Sequence, residues 1–400
     1  MFEAFSERDY RNFWITQFIS NIGSWMQTVA QGWLVYRLTD SPFLLGFVGF
    51  ASSIATLFLM LPGGVVADHV DRRRIVSVSQ WAQALSALFL AVAIYTKQIN
   101  VWQIIAASFV VGVAISFSAP AWQAMVVDLL DDRERLPNAI AMNSLQFNLS
   151  RALGPLLAGV TLAAWGSFWC FFFNAVSFLP LIFVLGRVKK RQQSAGATGA
   201  VLTRLADGFR YVRTQRVVVL LLGVVAAVSL FGYAWITLMP MVARALYGHD
   251  DAHGLAVLMA GIGLGALSGS MLLTAGTPPP RIIVRTILAG TSILAIGLAA
   301  AGYVRVHAVV IAVLFLCGAA AVYSVALCNT SIQQRIPDAM RGRVLSMYTF
   351  AFFAFTPFGN LFGGMMAERW GYGVTFAAMG GALLLATFAA AAAINQKPET

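Results

Sequence analysis

Charge is what this sequence has least of. Only 11% of its 400 residues are Asp, Glu, Lys or Arg, against 59% hydrophobic, where a soluble domain carries about 25% charged residues. So small a share cannot clothe a water-facing surface, and a mean hydropathy of +0.76 sets most of the surface against something apolar. Cysteine is scarce as well. Cys170, Cys317 and Cys328 are the whole complement, each inside an apolar run, which excludes a disulfide framework and a Cys-x-x-Cys metal site. The four histidines, His69, His249, His253 and His307, fall in loops or at span ends, and all sixteen Asp and Glu do the same. The usual intramembrane proton relays, buried Asp, Glu or His, are therefore missing. Any proton coupling falls to an edge carboxylate, Asp40, Asp68, Asp128 or Glu368, or to the substrate itself. The phosphate loop G-x-x-x-x-G-K-S/T is absent, which leaves direct ATP drive unsupported. No Ser-His-Asp or metal-ligand constellation occurs. No enzyme activity, catalytic residue, metal or cofactor is expected. No cleavable leader is expected either, because Met1–Arg11 mixes acidic and basic side chains and leads straight into an apolar run.

Apolar runs long enough to cross a bilayer, about 20 residues each, recur along the whole chain. The reading is an all-α membrane protein of twelve spans at approximately 11–38, 42–67, 75–95, 101–127, 138–164, 168–186, 217–245, 254–274, 282–302, 307–332, 343–367 and 372–394. Pro, Gly, Asn and Asp mark several of the short connections. The expected organisation is an N-terminal six-helix half over 1–186, a basic cytoplasmic linker over 187–216 and a C-terminal six-helix half over 217–400.

The net charge of +11 would suggest a nucleic-acid partner in a soluble protein. Here its placement suggests topology instead. Arg8, Arg11, Arg72, Arg73, Arg74, Arg133, Arg135, Arg187, Lys189, Lys190, Arg191, Arg204, Arg210, Arg213, Arg216, Arg281, Arg285, Arg335, Arg341, Arg343 and Lys397 share one side. Only Arg37, Lys97, Arg244, Arg305 and Arg369 fall on the other. Basic loops resist translocation, so the rich side is cytoplasmic and both termini lie inside.

The second half echoes the first at a constant offset. Met142, Phe147, Gly154, Gly159, Trp165, Gly166 and Phe171 return as Met347, Phe352, Gly359, Gly364, Trp370, Gly371 and Phe376. This ties spans 5 and 6 to spans 11 and 12 and sets a half-length of six helices, with the long connection at the junction. Two six-helix halves with a site between them is a transporter plan.

Between spans 2 and 3 the chain reads Gly63-Gly64-Val65-Val66-Ala67-Asp68-His69-Val70-Asp71-Arg72-Arg73-Arg74. This resembles the signature G-x-x-x-D-R/K-x-G-R/K-R/K of the major facilitator superfamily. Gly64, Asp68, Arg72 and Arg73 match, while His69 and Asp71 depart from the pattern. The glycine is expected to permit close helix approach. Asp68, Arg72 and Arg73, with Asp128 nearby, are expected to form a cytoplasmic conformational latch. Asn12-Phe13-Trp14, Trp25-Met26-Gln27, Ala30-Gln31 and Leu34-Val35-Tyr36 resemble the bacterial branch that includes enterobactin exporters and macrolide efflux proteins. So do Leu136 to Ala141, Asn143-Ser144, Asn148, Arg151, Gly154-Pro155, Asn329-Thr330 and Arg341-Gly342-Arg343-Val344. The resemblance implies export of siderophores, drugs or other amphipathic molecules across the bacterial cytoplasmic membrane by alternating access. A lysophospholipid-type flippase of the same fold is the alternative. Gly154-Pro155 with Gly159 looks like part of the helix 5 signature of drug–proton antiporters, though packing alone also wants small residues there.

Two spans carry polar stripes. Gln17, Asn21, Ser24, Thr28 and Gln31 fall on one face of span 1 at 4-3-4-3 spacing, and lipid cannot satisfy their hydrogen bonds. Span 5 aligns Ser144, Asn148 and Arg151, the last a charge deep in a span and so a functional candidate by default. The expected substrate cavity is lined by Asn21, Ser24, Thr28, Gln31, Asn148, Arg151, Tyr233, Thr237, Tyr323, Asn329 and Thr356. Thr349 and Asn360 are further candidates, and Trp25, Trp122, Phe147 and Phe352 supply apolar wall. A small molecule, membrane lipid and protons are the expected partners, nucleic acid is not, and the chain is read as a monomer.

The topology makes one direct prediction. A cysteine replacing Arg210 should escape an impermeant thiol reagent applied outside intact cells and react only after permeabilisation. Efficient labelling from outside would invert the orientation.

Overall fold

The computed structural model describes residues 3–187, 209–248 and 252–395. Among these every regular element is helical. After a short 3-10 turn at Glu3–Ser6 come α1 (Arg8–Thr39), α2 (Pro42–His69), α3 (Arg72–Tyr95), α4 (Val101–Asp128), α5 (Leu136–Trp165) and α6 (Ser167–Arg187). The next span, α7, is in three pieces, Arg216–Phe231, Ala234–Thr237 and Met239–Tyr247. Then follow α8 (Ala252–Ala275), α9 (Pro280–Ala301) and α10 (His307–Arg335). The final rod, Asp338–Asn395, is broken by Gly371 in a left-handed conformation, φ 77°. Its parts are α11 (338–370) and α12 (372–395). Counted over the described residues, this is the twelve-helix membrane architecture expected from the sequence.

Among the described residues nine stretches are long and apolar enough to cross a membrane, one of them, Arg343–Ile394, 52 residues long and covering both α11 and α12. The helices that fall short of that standard are α1 and α5, the two that carry the polar stripes. Ends are set by local hydrogen bonding. Asn100 and Gln103 form a reciprocal capping box at the start of α4, and Asp71 accepts the Arg73 N–H at the start of α3. α7 departs from the single helix expected. Gly232 disfavours helix, and Pro240 lacks the N–H an uninterrupted helix would use and restrains the residue before it. Tyr233 therefore sits at a break, not on a continuous face shared with Thr237.

The chain gathers into two compact units, each considered by itself. One comprises the described residues of 1–40, 51–197 and 250–257, the other those of 41–50, 198–249 and 258–400. In the first, α1 packs on α5 and α6, and α3 on α4 and α6. In the second, α7 packs on α11, and α9 on α10 and α12. The repeated glycines do the same work in both. A methyl at Gly154 would collide with Trp25 of α1, and one at Gly359 with the Leu230 carbonyl of α7. A methyl at Gly159 would collide with Ala256 at the start of α8, and one at Gly364 would lie 2.7 Å from the Pro42 carbonyl at the start of α2. Gly166 and Gly371 end their helices at φ 87° and 77°, a conformation glycine adopts without steric cost.

Most of the linker, Arg204 included, lies outside the described residues. Residues 209–214 are helical. Val212 is buried there, while the Arg213 guanidinium lies 4.5 Å from the Phe209 ring centroid.

Close approach of α2 falls on Gly63, not on the motif glycine. A methyl at Gly63 would collide with the Ser116 carbonyl of α4, whereas Gly64 has no described atom within 4 Å of that position. Gly63→Ala should lower stability by about 1–3 kcal/mol through overpacking. Gly64→Ala should leave it unchanged or raise it by up to about 1 kcal/mol through helix propensity. Melting of the two purified variants in detergent checks this, and equal losses would refute it.

Candidate functional site

The α1 stripe divides into two kinds of side chain. Gln17 Nε2 donates to Asn21 Oδ1 at 2.8 Å, Asn21 Nδ2 to Gln146 Oε1 of α5 at 3.4 Å, and Gln146 Nε2 to the Trp14 carbonyl at 2.6 Å. Gln31 Nε2 donates to Ser108 Oγ of α4 at 2.9 Å. These carboxamides join α1 to its neighbours. Ser24 and Thr28 instead turn their hydroxyls onto the carbonyls of Ser20 and Ser24, at 2.9 and 2.8 Å, and Thr28 is exposed.

On α5, Ser144 and Asn148 likewise bond to their own helix, to the Ile140 and Ser144 carbonyls at 3.1 and 2.9 Å. Arg151, halfway along the helix, places its guanidinium 5.7 Å from the Trp25 ring centroid. Trp25 meets Phe147 edge to face, centroids 5.9 Å apart, and Phe147 is 51% exposed. Sequence spacing aligned Arg151 with Asn148. The fold adds an indole and a phenyl ring from two helices, so one local surface offers a permanent cation and open aromatic area. Cation–π contact of this kind is worth about 0.5–2 kcal/mol.

The second unit repeats the aromatic pair without the charge. Tyr233 meets Phe352 edge to face at 5.2 Å. At the repeat offset, Thr356 stands where Arg151 stands in the first half. Its Oγ1 lies 2.8 Å from Ser229 Oγ, and the Ser229 hydroxyl also donates to the Phe352 carbonyl. Thr237 Oγ1 donates to the largely buried Asn360 at 3.0 Å, and Thr349 to the Leu345 carbonyl at 3.0 Å. Asn329 accepts from Gln333 at 2.5 Å, and Tyr323 is half-buried on α10. Trp122 packs against Phe13 in the core formed by the starts of α1, α3 and α5 and the ends of α2, α4 and α6, so it belongs to packing and not to the aromatic wall.

In the signature segment, Arg72 Nη1 pairs with Asp128 Oδ2 at 2.8 Å, joining α3 to the end of α4. Arg73 pairs with Asp71 at 3.4 Å. Asp68 falls in the last turn of α2, with its side chain outside the described ones. Nearby, Arg135 bonds Glu7 at 3.0 Å and Ser6 at 2.5 Å, and the Ala4 N–H donates to Asn138. The chain's first residues are thereby fastened to the start of α5.

A buried polar cluster escaped the sequence reading. Asn174 Nδ2 of α6 donates to Gln27 Oε1 of α1 at 2.7 Å, and Ser177 Oγ lies 3.2 Å from Asn174 Oδ1. Gln80 and Gln83 of α3 are also buried, Gln80 Oε1 lying 3.5 Å from Ser20 Oγ of α1. Gln27 lies off the stripe, but Asn174 alone in the apolar run of span 6 was a legible signal, since lipid offers it no partner.

A family profile described as transmembrane secretion effector matches residues 1–400. The staphyloferrin A transporter of Staphylococcus aureus (strain NCTC 8325 / PS 47) is 25% identical over 385 residues, covering 92% of each chain. The multidrug efflux pump Tap of Mycolicibacterium fortuitum is 24% identical over 91% of this chain and 90% of its own. The enterobactin exporter EntS of Citrobacter koseri is 25% identical over 85% and 80%. Among solved structures, the nucleoside transporter NupG superposes with a TM-score of 0.74 at 14% identity, over 98% of this chain and 100% of that one. That likeness concerns the fold alone.

The Gln27–Asn174 pair makes a prediction of its own. Gln27→Leu strips the Asn174 amide of its acceptor in a dry interior, which should cost about 1–3 kcal/mol. Gln27→Leu with Asn174→Leu should recover part of the loss. Thermal unfolding of the single and double variants measures this, and additive losses would contradict it.

Proposed function

The chain belongs to the transmembrane secretion effector family of the major facilitator superfamily, a family of multi-pass transporters, and on that premise we propose that it is a secondary exporter of an amphipathic small molecule, siderophore-like or drug-like. In this reading it sits in the bacterial cytoplasmic membrane with both termini inside, acts as a monomer without enzymatic chemistry, and draws on the proton gradient. Alternating access carries the substrate outward while the Arg72–Asp128 region with Asp68 and Arg73 opens and closes as the cytoplasmic latch. The names of the relatives, two of them siderophore transporters and one a drug pump, support the substrate class.

The observation that carries the reading is Arg151. Its guanidinium lies mid-helix in α5, 5.7 Å from the centroid of the Trp25 ring that Phe147 meets edge to face. It is about 22 Å from the helix start at 1.5 Å per residue. Holding a permanent cation at such depth is expensive, and intramembrane charges are retained where they act. Aromatic faces at its side would grip the apolar part of a ligand whose anionic part the guanidinium attracts. Asn148, Ser24 and Thr28 lie on the adjoining turns of the same two helices, and Tyr233, Thr237, Tyr323, Asn329 and Thr356 are the proposed contribution of the second half.

The test is a ligand-induced thermal-shift screen of the purified protein against siderophores, drugs and lysolipids, followed by Arg151 variants. Arg151→Gln should weaken anionic ligands at least about tenfold more than neutral ones, a difference of about 1.4 kcal/mol. Arg151→Lys keeps the charge but loses the planar fork, so it should retain weak binding. Equal loss of neutral and anionic ligands with a lowered melting temperature would reduce Arg151 to a brace for α5. Stabilisation by lysolipids alone would favour the flippase.

A further inference from the structure

α2 is divided between the compact units. Ser41–Phe50 gathers with the second and the helix from Ala51 onward with the first. What holds the first turns to α11 is partly packing. Gly364 approaches the Pro42 carbonyl and Gly46, and Asn360 lies against Gly46 and Gly49. Phe50 meets Phe358 edge to face at 6.3 Å.

The rest of the attachment is a carboxylate. Glu368 Oε2 accepts the Ser41 hydroxyl at 2.9 Å and the Phe43 N–H at 3.0 Å. Ser41 Oγ in turn accepts the Leu44 N–H at 3.3 Å. The opening N–H groups of a helix have no partner within it and carry partial positive charge. A carboxylate from a distant helix is therefore an anionic cap for α2. At the repeat offset the first half has Ala163. There Gly159 meets Ala256 in the matching close approach. The glycine contact is common to both halves, and Glu368 has no carboxylate at its own repeat position.

We infer that Glu368 is the proton-sensitive clasp of the transport cycle, whose ionised carboxylate pins the first turn of α2 to α11 and whose protonation frees it. A neutral carboxyl gives up the charge assistance that makes such hydrogen bonds about twice as strong. The clasp holds while the carboxylate is ionised and loosens when it takes up a proton. Ser41–Phe50 contains no titratable side chain, so on the α2 side Glu368 faces only a hydroxyl and an amide. Next to the pair in sequence stand two charged residues, Asp40, which caps α1, and Arg369, whose guanidinium lies 5.8 Å from the Trp370 ring centroid. The inference depends on the exporter reading only for its purpose in a cycle. Its geometry and its test need no substrate.

Leu45, 1% exposed within the clasped segment, is the probe position. Full-length Leu45→Cys protein, purified in detergent, would be labelled with 4,4′-dithiodipyridine, a thiol reagent that still reacts in acid, at pH 7 and pH 4. Each rate would be expressed relative to the same protein unfolded at the same pH. The parent, whose three native cysteines are buried, measures background. Labelling should rise about fivefold at the lower pH. Glu368→Gln should label fast at both pH values, and Ser41→Ala, which removes one of the two donors, should shift the response part of the way. Equal labelling of the parent-type and Glu368→Gln proteins, or a pH response that survives Glu368→Gln, would overturn the clasp. Absence of stabilisation by any siderophore or drug in the ligand screen, with this response intact, would overturn the exporter reading and not the clasp.

Discussion

Inside a bilayer no water waits to accept a hydrogen bond, and apolar side chains gain little by leaving lipid for one another. Helices in that setting must be held by close backbone approach and by polar pairs that satisfy one another. This chain uses both. Where α5 crosses α1, and where α11 crosses α7, a glycine removes the methyl that would keep the helices apart. Where interiors are polar, as between Gln27 and Asn174 or Thr291 and Thr387, the partners come from different helices. The Gln27–Asn174 pair fixes rotation as well as contact, because a half-turn slip would part the two carboxamides in a dry interior.

That constraint explains why α1 and α5 are the informative helices. They are the ones insufficiently apolar for lipid, yet they are long enough to span. They must therefore spend their polar faces on neighbours or on a wet surface. The carboxamides of Asn21, Gln31 and Gln146 go to neighbours, and Gln17 donates to Asn21. Ser24, Thr28 and Asn148 satisfy themselves on their own backbone, which leaves their faces free of helix-to-helix obligations. Arg151 and Trp25 stand among these self-satisfied residues. The two rows of one stripe thus serve different ends, a division that periodicity alone cannot draw.

The twelve helices were legible because span length and loop chemistry are local properties. The break in α7 was signalled by Gly232 and Pro240 but hidden by the unbroken hydrophobicity around them. The repeat was legible because packing demands the same small residue at the same place twice. The Arg72–Asp128 pair could be anticipated from motif and proximity. What could not be read was pairing across the bundle. Nothing in the order of residues says that Asn174 should find Gln27, or that Glu368 should reach Ser41 and Phe43, since each link joins elements far apart in the chain. Gly63 and Gly64 illustrate the limit at its smallest scale. They are adjacent glycines, and only the rotation of α2 against α4 decides which one is needed for contact.

The comparison of the halves also separates scaffold from chemistry. Positions where the repeat is kept, Gly154 with Gly359, Gly159 with Gly364 and Gly166 with Gly371, are those where any larger side chain would collide or be strained. Phe147 and Phe352 are kept too, each with an aromatic partner from the helix its own helix crosses. The polar positions diverge. Arg151 answers to Thr356, Asn148 to Phe353, and Ala163 to Glu368. A duplicated bundle under packing constraint alone has no reason to put its mid-helix cation in one half and its edge carboxylate in the other. The packing is two-fold and the charge is not, and a transport cycle needs that asymmetry. A site that attracts an anion and a clasp that answers to protons must be able to change independently if binding and ion coupling are to be separate steps of one cycle.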